Sequence, residues 1–239
     1  MSMTETAALA LGVTGRTVLI AGATSASGHA CAAALREAGA RVIAVGSNAE
    51  RLAALAEAVP DVITRVCDLS DFAAVAGLAE EIRATAEKHG HGGIDGLIHL
   101  VGGWRGGGGL AGQSDEDWNT LDAAFGTLRN TTRAFNGQLL ASDAGRLAIV
   151  SSVSVERPLA GGANYAAAKA AADAWTRAVA QGFAKAASPA APSAAAVVFV
   201  VKALAGLEQQ LAASVVDLWR QPAAELNGTR IALSGPTNN

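Results

Sequence analysis

Tyr165 and Lys169 stand four positions apart in Asn164-Tyr-Ala-Ala-Ala-Lys169, which puts a phenol and an ammonium on one helix face. A cation beside a phenol favours the phenolate. The pairing therefore predicts a tyrosine drawn down toward neutrality, where it can exchange a proton with a substrate. Tyr165 is the only tyrosine in the chain. Upstream, an apolar run Leu147–Val150 ends in Ser151-Ser152, and the Ser152 hydroxyl can bond a carbonyl oxygen and the same phenol. Together these three groups suit proton transfer at a carbonyl or an alcohol.

A second constellation lies near the start, in Val18-Leu-Ile-Ala-Gly-Ala-Thr-Ser-Ala-Ser-Gly-His29. An apolar run meets a turn built from Gly22, Thr24, Ser25, Ala26, Ser27 and Gly28, and an Ala-rich helical stretch follows to Gly39. The first turn of such a helix offers free N–H groups and a positive dipole end, and small residues let a pyrophosphate reach the backbone. In a β-turn-α-β unit this is a dinucleotide-binding signal, although Ala26 stands where a middle glycine is expected.

Around these two constellations, strand and helix signals alternate along the whole chain. Strands are expected at Val42–Val45, Val62–Val66, Ile94–Val101, Leu147–Val150, Val197–Val201 and Thr229–Leu233. Helices are expected over Ala49–Val59 (capped from Ser47-Asn48 and stopped by Pro60), from Ser70 or Asp71 to Lys88, from Ser114 to Leu140, Asn164–Lys185 and Glu208–Arg220. This alternation predicts an α/β fold, a Rossmann-like, doubly wound parallel sheet of about seven strands with helices on both faces. One domain spanning residues 1–239, with its core over about 15–236, accommodates the length.

The net charge of −3 gives no electrostatic case for nucleic acid, and no uncharged apolar run reaches membrane-spanning length. Two distant cysteines, Cys31 and Cys67, read as buried thiols of a reducing cytoplasm, and no metal-ligand spacing is visible. Met1–Gly12 lacks the basic region of a secretion signal. His89 and His91 sit among glycines without partners, and His29 reads as a helix-start residue. His99 reads as a hydrogen-bonded core histidine at a strand end. Trp118, Trp175 and Trp219 read as packing anchors.

With these residues in view, the chain resembles the short-chain dehydrogenase/reductase family over nearly its whole length. The family's glycine motif falls on Gly22, Ala26 and Gly28, its adenine-binding acidic residue on Asp68 with Leu69, and its serine, tyrosine and lysine on Ser152, Tyr165 and Lys169. The resemblance implies hydride transfer with an NAD(P) cofactor and a small carbonyl or alcohol substrate. In that scheme Tyr165 is the acid/base, Lys169 also binds the nicotinamide ribose, and Ser152 orients the carbonyl. It also implies a homodimer or homotetramer, which the small-residue face of Ala166–Ala180 suits.

Several positions depart from the family. Its Asn-Asn-Ala-Gly is here His99-Leu-Val-Gly102, leaving Val101 and Gly102 to bring backbone near the ribose. The helix asparagine falls on Ala124 or Phe125, and Asn130 reads as an ordinary helix residue. Lys202-Ala-Leu-Ala-Gly206 replaces the usual Pro-Gly and substrate lid. The glycine run Gly102–Gly109, with Trp104 and Arg105 as a stacking plane and an anion contact, resembles the dihydropteridine reductase branch. A pterin reductase and a degenerate, non-catalytic binding or assembly protein are therefore the alternatives. At the end of the second strand, Gly46-Ser47-Asn48 carries no acid to repel a 2′-phosphate, and Arg51 is one turn away. NADP(H) is expected over NAD(H).

Overall fold

A computed structural model describes residues 12–88 and 92–234. His89, His91 and the segment before Gly12 lie outside the described residues.

The first strand shows how the sheet is built. In β1 (Thr17–Ala21) the entire run is buried, with Val18 and Ile20 facing one hydrophobic layer and Leu19 and Ala21 the other. A strand apolar on both faces must be covered on both faces, which is the signature of a parallel sheet between helix layers. The other strands are β2 (Arg41–Gly46), β3 (Ile63–Val66), β4 (Gly96–His99), β5 (Arg146–Ser152), β6 (Ala195–Val201) and β7 (Arg230–Ala232). All pair in parallel, in the order β3-β2-β1-β4-β5-β6-β7. The order reverses between β1 and β4, and a crevice opens there at the carboxyl ends of the strands.

The helices are α1 (Ala26–Glu37), α2 (Ala49–Ala58), α3 (Phe72–Lys88), α4 (Asp115–Ala141), α5 (Ala163–Ala187), α6 (Glu208–Asp217) and the short α7 (Ala223–Leu226). Leu35, Leu52, Leu211 and Trp219 build one core layer, and Val75, Leu128, Phe135 and Phe183 the other. The expected caps form: Ser25, Asn48 and Ser114 accept from Gly28, Arg51 and Asp117 amides, and Asp71 accepts from Ala73.

Boundaries move where a tertiary contact intervenes. β4 is four residues long rather than eight, although the chain stays bonded to its neighbours just beyond both ends: Asp95 N donates to Thr17 O, Leu100 N donates to Ala21 O, and the Asp95 carboxylate accepts from the Thr17 amide. β5 begins one residue early, at Arg146, whose guanidinium is buried and donates to the carbonyls of Gly145, Ser193, Leu218 and Gln221. The last long helix stops at Asp217, before Trp219, which fills the core over Gly96 and donates to Ala144 O at 3.0 Å. Trp175 is also packed, with its indole N–H on Thr132, whereas Trp118 is 39% exposed and anchors little. No helix among the described residues is long and apolar enough to cross a membrane.

Candidate active site

The β1–α1 turn closes tightly on its neighbours. Gly22 has φ +83°, and a Cβ there would lie 2.9 Å from Val101 N, so the turn and the chain leaving β4 meet backbone to backbone. At Gly28 a Cβ would lie 2.3 Å from Ala23 O, so α1 starts pressed against the turn. Ser25 caps the helix through its hydroxyl (3.0 Å to Gly28 N), while the amides of Ala26 and Ser27 in the first turn have no intrahelical acceptor. Ala26 is exposed, and its methyl does not close the turn. Thr24 packs beside Gly46 at the end of β2, where Ser47 and Arg51 are exposed. This cradle of small residues and free amides fits a pyrophosphate.

Along the same sheet edge, the residues after β3 form a second wall. Leu69 is buried and Asp68 is exposed, with one carboxylate oxygen accepting from both the amide and the hydroxyl of Ser70. Those hydrogen bonds hold the Asp68 carboxyl below its usual range. Asn130 is more than an ordinary helix residue: its side-chain amide donates to Leu69 O (3.0 Å) and Ser70 O (2.9 Å), pinning this segment to α4.

Ser152, Tyr165 and Lys169 do converge. Ser152 ends β5, buried beside the Tyr165 phenol, and its hydroxyl donates to Ser154 Oγ at 3.1 Å and accepts from Ser154 N. Lys169 lies 5.8 Å from the Tyr165 ring centroid and donates to Val150 O at 2.8 Å. The phenol, however, is not drawn down. Burial raises it above its ordinary value of 10, and the Ser152 hydrogen bond only partly opposes this. Burial likewise lowers Lys169 to about 8, against the pull of Asp173 one turn on. Desolvation outweighs the pairwise attraction read from spacing. Tyr165 and Lys169 line a cleft of about 340 Å³ with Val101, Gly102, Trp104 and Lys202.

His99 is buried at the end of β4, as expected, and its Nε2 lies 3.0 Å from Thr127 Oγ1. Burial, followed by the Lys169 charge, pushes it down to about 3 from an ordinary 6.5. Between these values the unfolded chain binds a proton that the folded chain refuses. Stability is then complete above pH 6.5 and falls with acidification, by at most about 1.4 kcal/mol per pH unit. His99→Gln is expected to flatten this limb in urea unfolding compared at neutral and mildly acid pH. Equal losses in the two proteins would contradict the assignment.

The glycine run after β4 is held in place. Gln113 donates from its amide to the carbonyls of Gly107, Gly109 and Gly161, each at 3.1 Å, and its carbonyl accepts from Asn164 N at the start of α5. Nothing in the sequence reading singled out Gln113; its partners lie up to 51 residues away. Trp104 is 62% exposed at the cleft mouth, and Arg105 faces Asp117 at 3.9 Å. Beyond β6, Lys202–Leu207 turns directly into α6, with Leu207 N on Leu204 O, so the lid is short as expected. Among the described residues no cluster of His, Cys, Asp and Glu is spaced to hold a metal ion.

Comparison with known proteins agrees with this architecture. The family model for short chain dehydrogenases matches residues 16–188. A search of curated proteins finds no match. Among solved structures, the NADPH-bound short chain oxidoreductase with an atypical catalytic center from Pseudomonas aeruginosa PAO1 superposes with a TM-score of 0.77 at 21% identity, covering 93% of this chain and 96% of that one. A metagenomic short-chain oxidoreductase in complex with NADP gives 0.74 at 24% identity, covering 92% and 99%. The matched span takes in the glycine turn, the crevice and the Ser152–Tyr165–Lys169 convergence, and the chain belongs to the short-chain dehydrogenase family.

Proposed function

We propose that this chain is one NAD(P)-binding unit that catalyses hydride transfer between nicotinamide and a carbonyl or alcohol. The observation that carries the reading is that Tyr165 and Lys169 stand together on the wall of a cleft beside the small-residue cradle, with Ser152 buried next to the phenol. Gly22, Thr24, Ser25, Ala26, Ser27 and Gly28 hold the pyrophosphate, Asp68 and Leu69 flank the adenine, Ser47 lies toward the adenosine ribose, and Val101 and Gly102 approach the other ribose with Tyr165 and Lys169. When bound, the dinucleotide supplies or accepts the hydride.

The chain's own groups do the rest. Ser152 orients the substrate oxygen. Tyr165, protonated in the free protein because burial raises its pKa, donates its proton to the carbonyl oxygen in reduction and takes it back in oxidation. Lys169, at about 8, is mainly cationic at neutral pH and stabilises the phenolate left behind. The pterin-reductase alternative rests on the glycine run with Trp104 and Arg105. Neither it nor a non-catalytic role gains support from the relatives found, and the intact cradle and trio weigh against degeneration.

The absence of an acid at Ser47 and Asn48 supports NADP(H) over NAD(H), and two relatives are described with NADPH or NADP. The buried, unpaired Cys31 and Cys67 suit a reducing cytoplasm, and the small-residue face of α5 suits a homodimer or homotetramer. Thermal melting with NAD, NADH, NADP and NADPH in turn tests the reading. Saturating NADP(H) is expected to add about 3 kcal/mol of stability, a rise of roughly 5–10 °C, and NAD(H) less. No rise with any of the four would overturn it.

A further inference from the structure

The cleft that carries Tyr165 and Lys169 is one-sided in charge. Of the residues that line it, Lys169 and Lys202 are cationic, His99 is held neutral by burial, and none is a carboxylate. The chain as a whole has a net charge of −3, so the excess is local. Lys169 is already engaged, donating to Val150 O. Lys202 is exposed, and among the described residues it makes neither an ion pair nor a hydrogen bond. The next acid along the chain, Glu208, turns back to accept from Gly206 N. Arg105, the cation that the sequence offers at the mouth, is placed differently. It donates to Trp104 O, faces Asp117 and does not line the cleft.

The strand order says what Lys202 can reach. β5 lies between β4 and β6, and Ser152, the last residue of β5, pairs with Val201 of β6. Lys202 therefore leaves the sheet one strand from Ser152, a spacing of about 5 Å. The small-residue cradle at the end of β1 is three strands distant, about 14 Å, which favours a partner at Ser152 over the pyrophosphate. On the other side, Trp104 follows the end of β4. Its ring lies over Gly106, where an added Cβ would come within 3.4 Å of Cζ2, and it is exposed along the mouth. A carbonyl oxygen set at Ser152 and Tyr165 thus has an ammonium on the β6 side and an indole on the β4 side.

We propose that the substrate is a 2-oxo acid with a flat apolar substituent: Lys202 takes the carboxylate, Trp104 the substituent, and the carbonyl between them faces Tyr165. This names the substrate class of the proposed function and rests on it. A carboxylate bonded directly to the carbonyl carbon matches the single-strand separation of Lys202 from Ser152. In reduction, C2 of the acid accepts a hydride from NADPH, its carbonyl electron pair moves to oxygen, and Tyr165 protonates that oxygen. The products are the 2-hydroxy acid and NADP⁺, and the phenolate regains its proton from solvent.

The test compares phenylglyoxylate with its methyl ester, which share the ring and the reacting carbonyl and differ in charge. Steady-state rates are measured on the full chain at saturating NADPH. Lys202→Met is expected to lower kcat/KM for the acid about tenfold, chiefly through KM, and for the ester by less than about twofold. Lys202→Arg, which keeps the charge, is expected to return most of the loss. NADPH affinity, read from its fluorescence on binding, is expected to stay within about twofold in both variants. Trp104→Ala is expected to raise KM for both aryl compounds by about fivefold and to affect pyruvate, which has no ring, far less. Equal losses with acid and ester, or a matching loss of NADPH affinity, overturn the assignment. Turnover of the ester with the acid refused by the parent protein would refute this inference and leave the proposed function standing. No turnover of any carbonyl with NADPH bound would defeat the proposed function itself, and this inference with it.

Discussion

Replacing Tyr165 by phenylalanine is expected to cut carbonyl reduction by about 10³-fold while leaving most of the dinucleotide-induced melting shift. The substitution removes one oxygen and keeps the ring, so the cleft keeps its shape. What is lost is the proton that must reach the carbonyl oxygen, and Tyr165 is the only tyrosine that can supply it. Ser152, with its far higher pKa, cannot take over that transfer. Steady-state rates at saturating NADPH with a carbonyl that the unmodified protein turns over decide the matter. A fall of less than about tenfold would remove Tyr165 from the chemistry. Lys169→Met is the informative companion: it should impair dinucleotide binding and turnover together.

The second large effect concerns stability. Arg146 is 2% exposed, and its guanidinium reaches four backbone carbonyls without a carboxylate in contact. Burial lowers its pKa to about 10, so the charge persists at neutral pH. One of the four, Gly145 O, also accepts from Ala195 N and would stay satisfied without the arginine. Ser193, Leu218 and Gln221 carbonyls would lose this donor. Arg146→Met, which matches the stem but not the head, is therefore expected to cost about 3 kcal/mol, or roughly 10 °C in melting temperature. Arg146→Lys should recover less than half of that, because a point charge cannot span the planar fork. A melting temperature within about 2 °C of the parent for Arg146→Met would show those carbonyls to be served by solvent.

How far the sequence could be read depended on the range over which each determinant acts. The sheet was legible because each strand announces itself within a few residues: β1 and β6 are continuous apolar runs, and Ser25, Asn48 and Ser114 sit immediately before helices they cap. Tyr165 and Lys169 were legible for the same reason, since four residues on a helix are one turn. The direction of the Tyr165 shift was not, because desolvation depends on what the fold packs around the ring. Asn130, Gln113 and Arg146 were missed or undervalued because their partners lie 48 to 75 residues distant for the decisive contacts. His99 shows the boundary between the two cases. Its burial followed from its place at the end of an apolar strand, but its hydrogen-bond partner, Thr127, stands on a different element.

The Gln113 contacts carry a consequence for how such a protein can diversify. A run of glycines is the segment of a chain most expensive to order, and here one amide holds it against the start of the helix that bears Tyr165 and Lys169. Residues facing outward from that loop, Trp104 among them, can therefore change without loosening the frame on which Tyr165 and Lys169 are mounted. Under the proposed function, recognition and chemistry are then separately heritable: a change at the mouth would alter the substrate taken while the reaction beneath is kept.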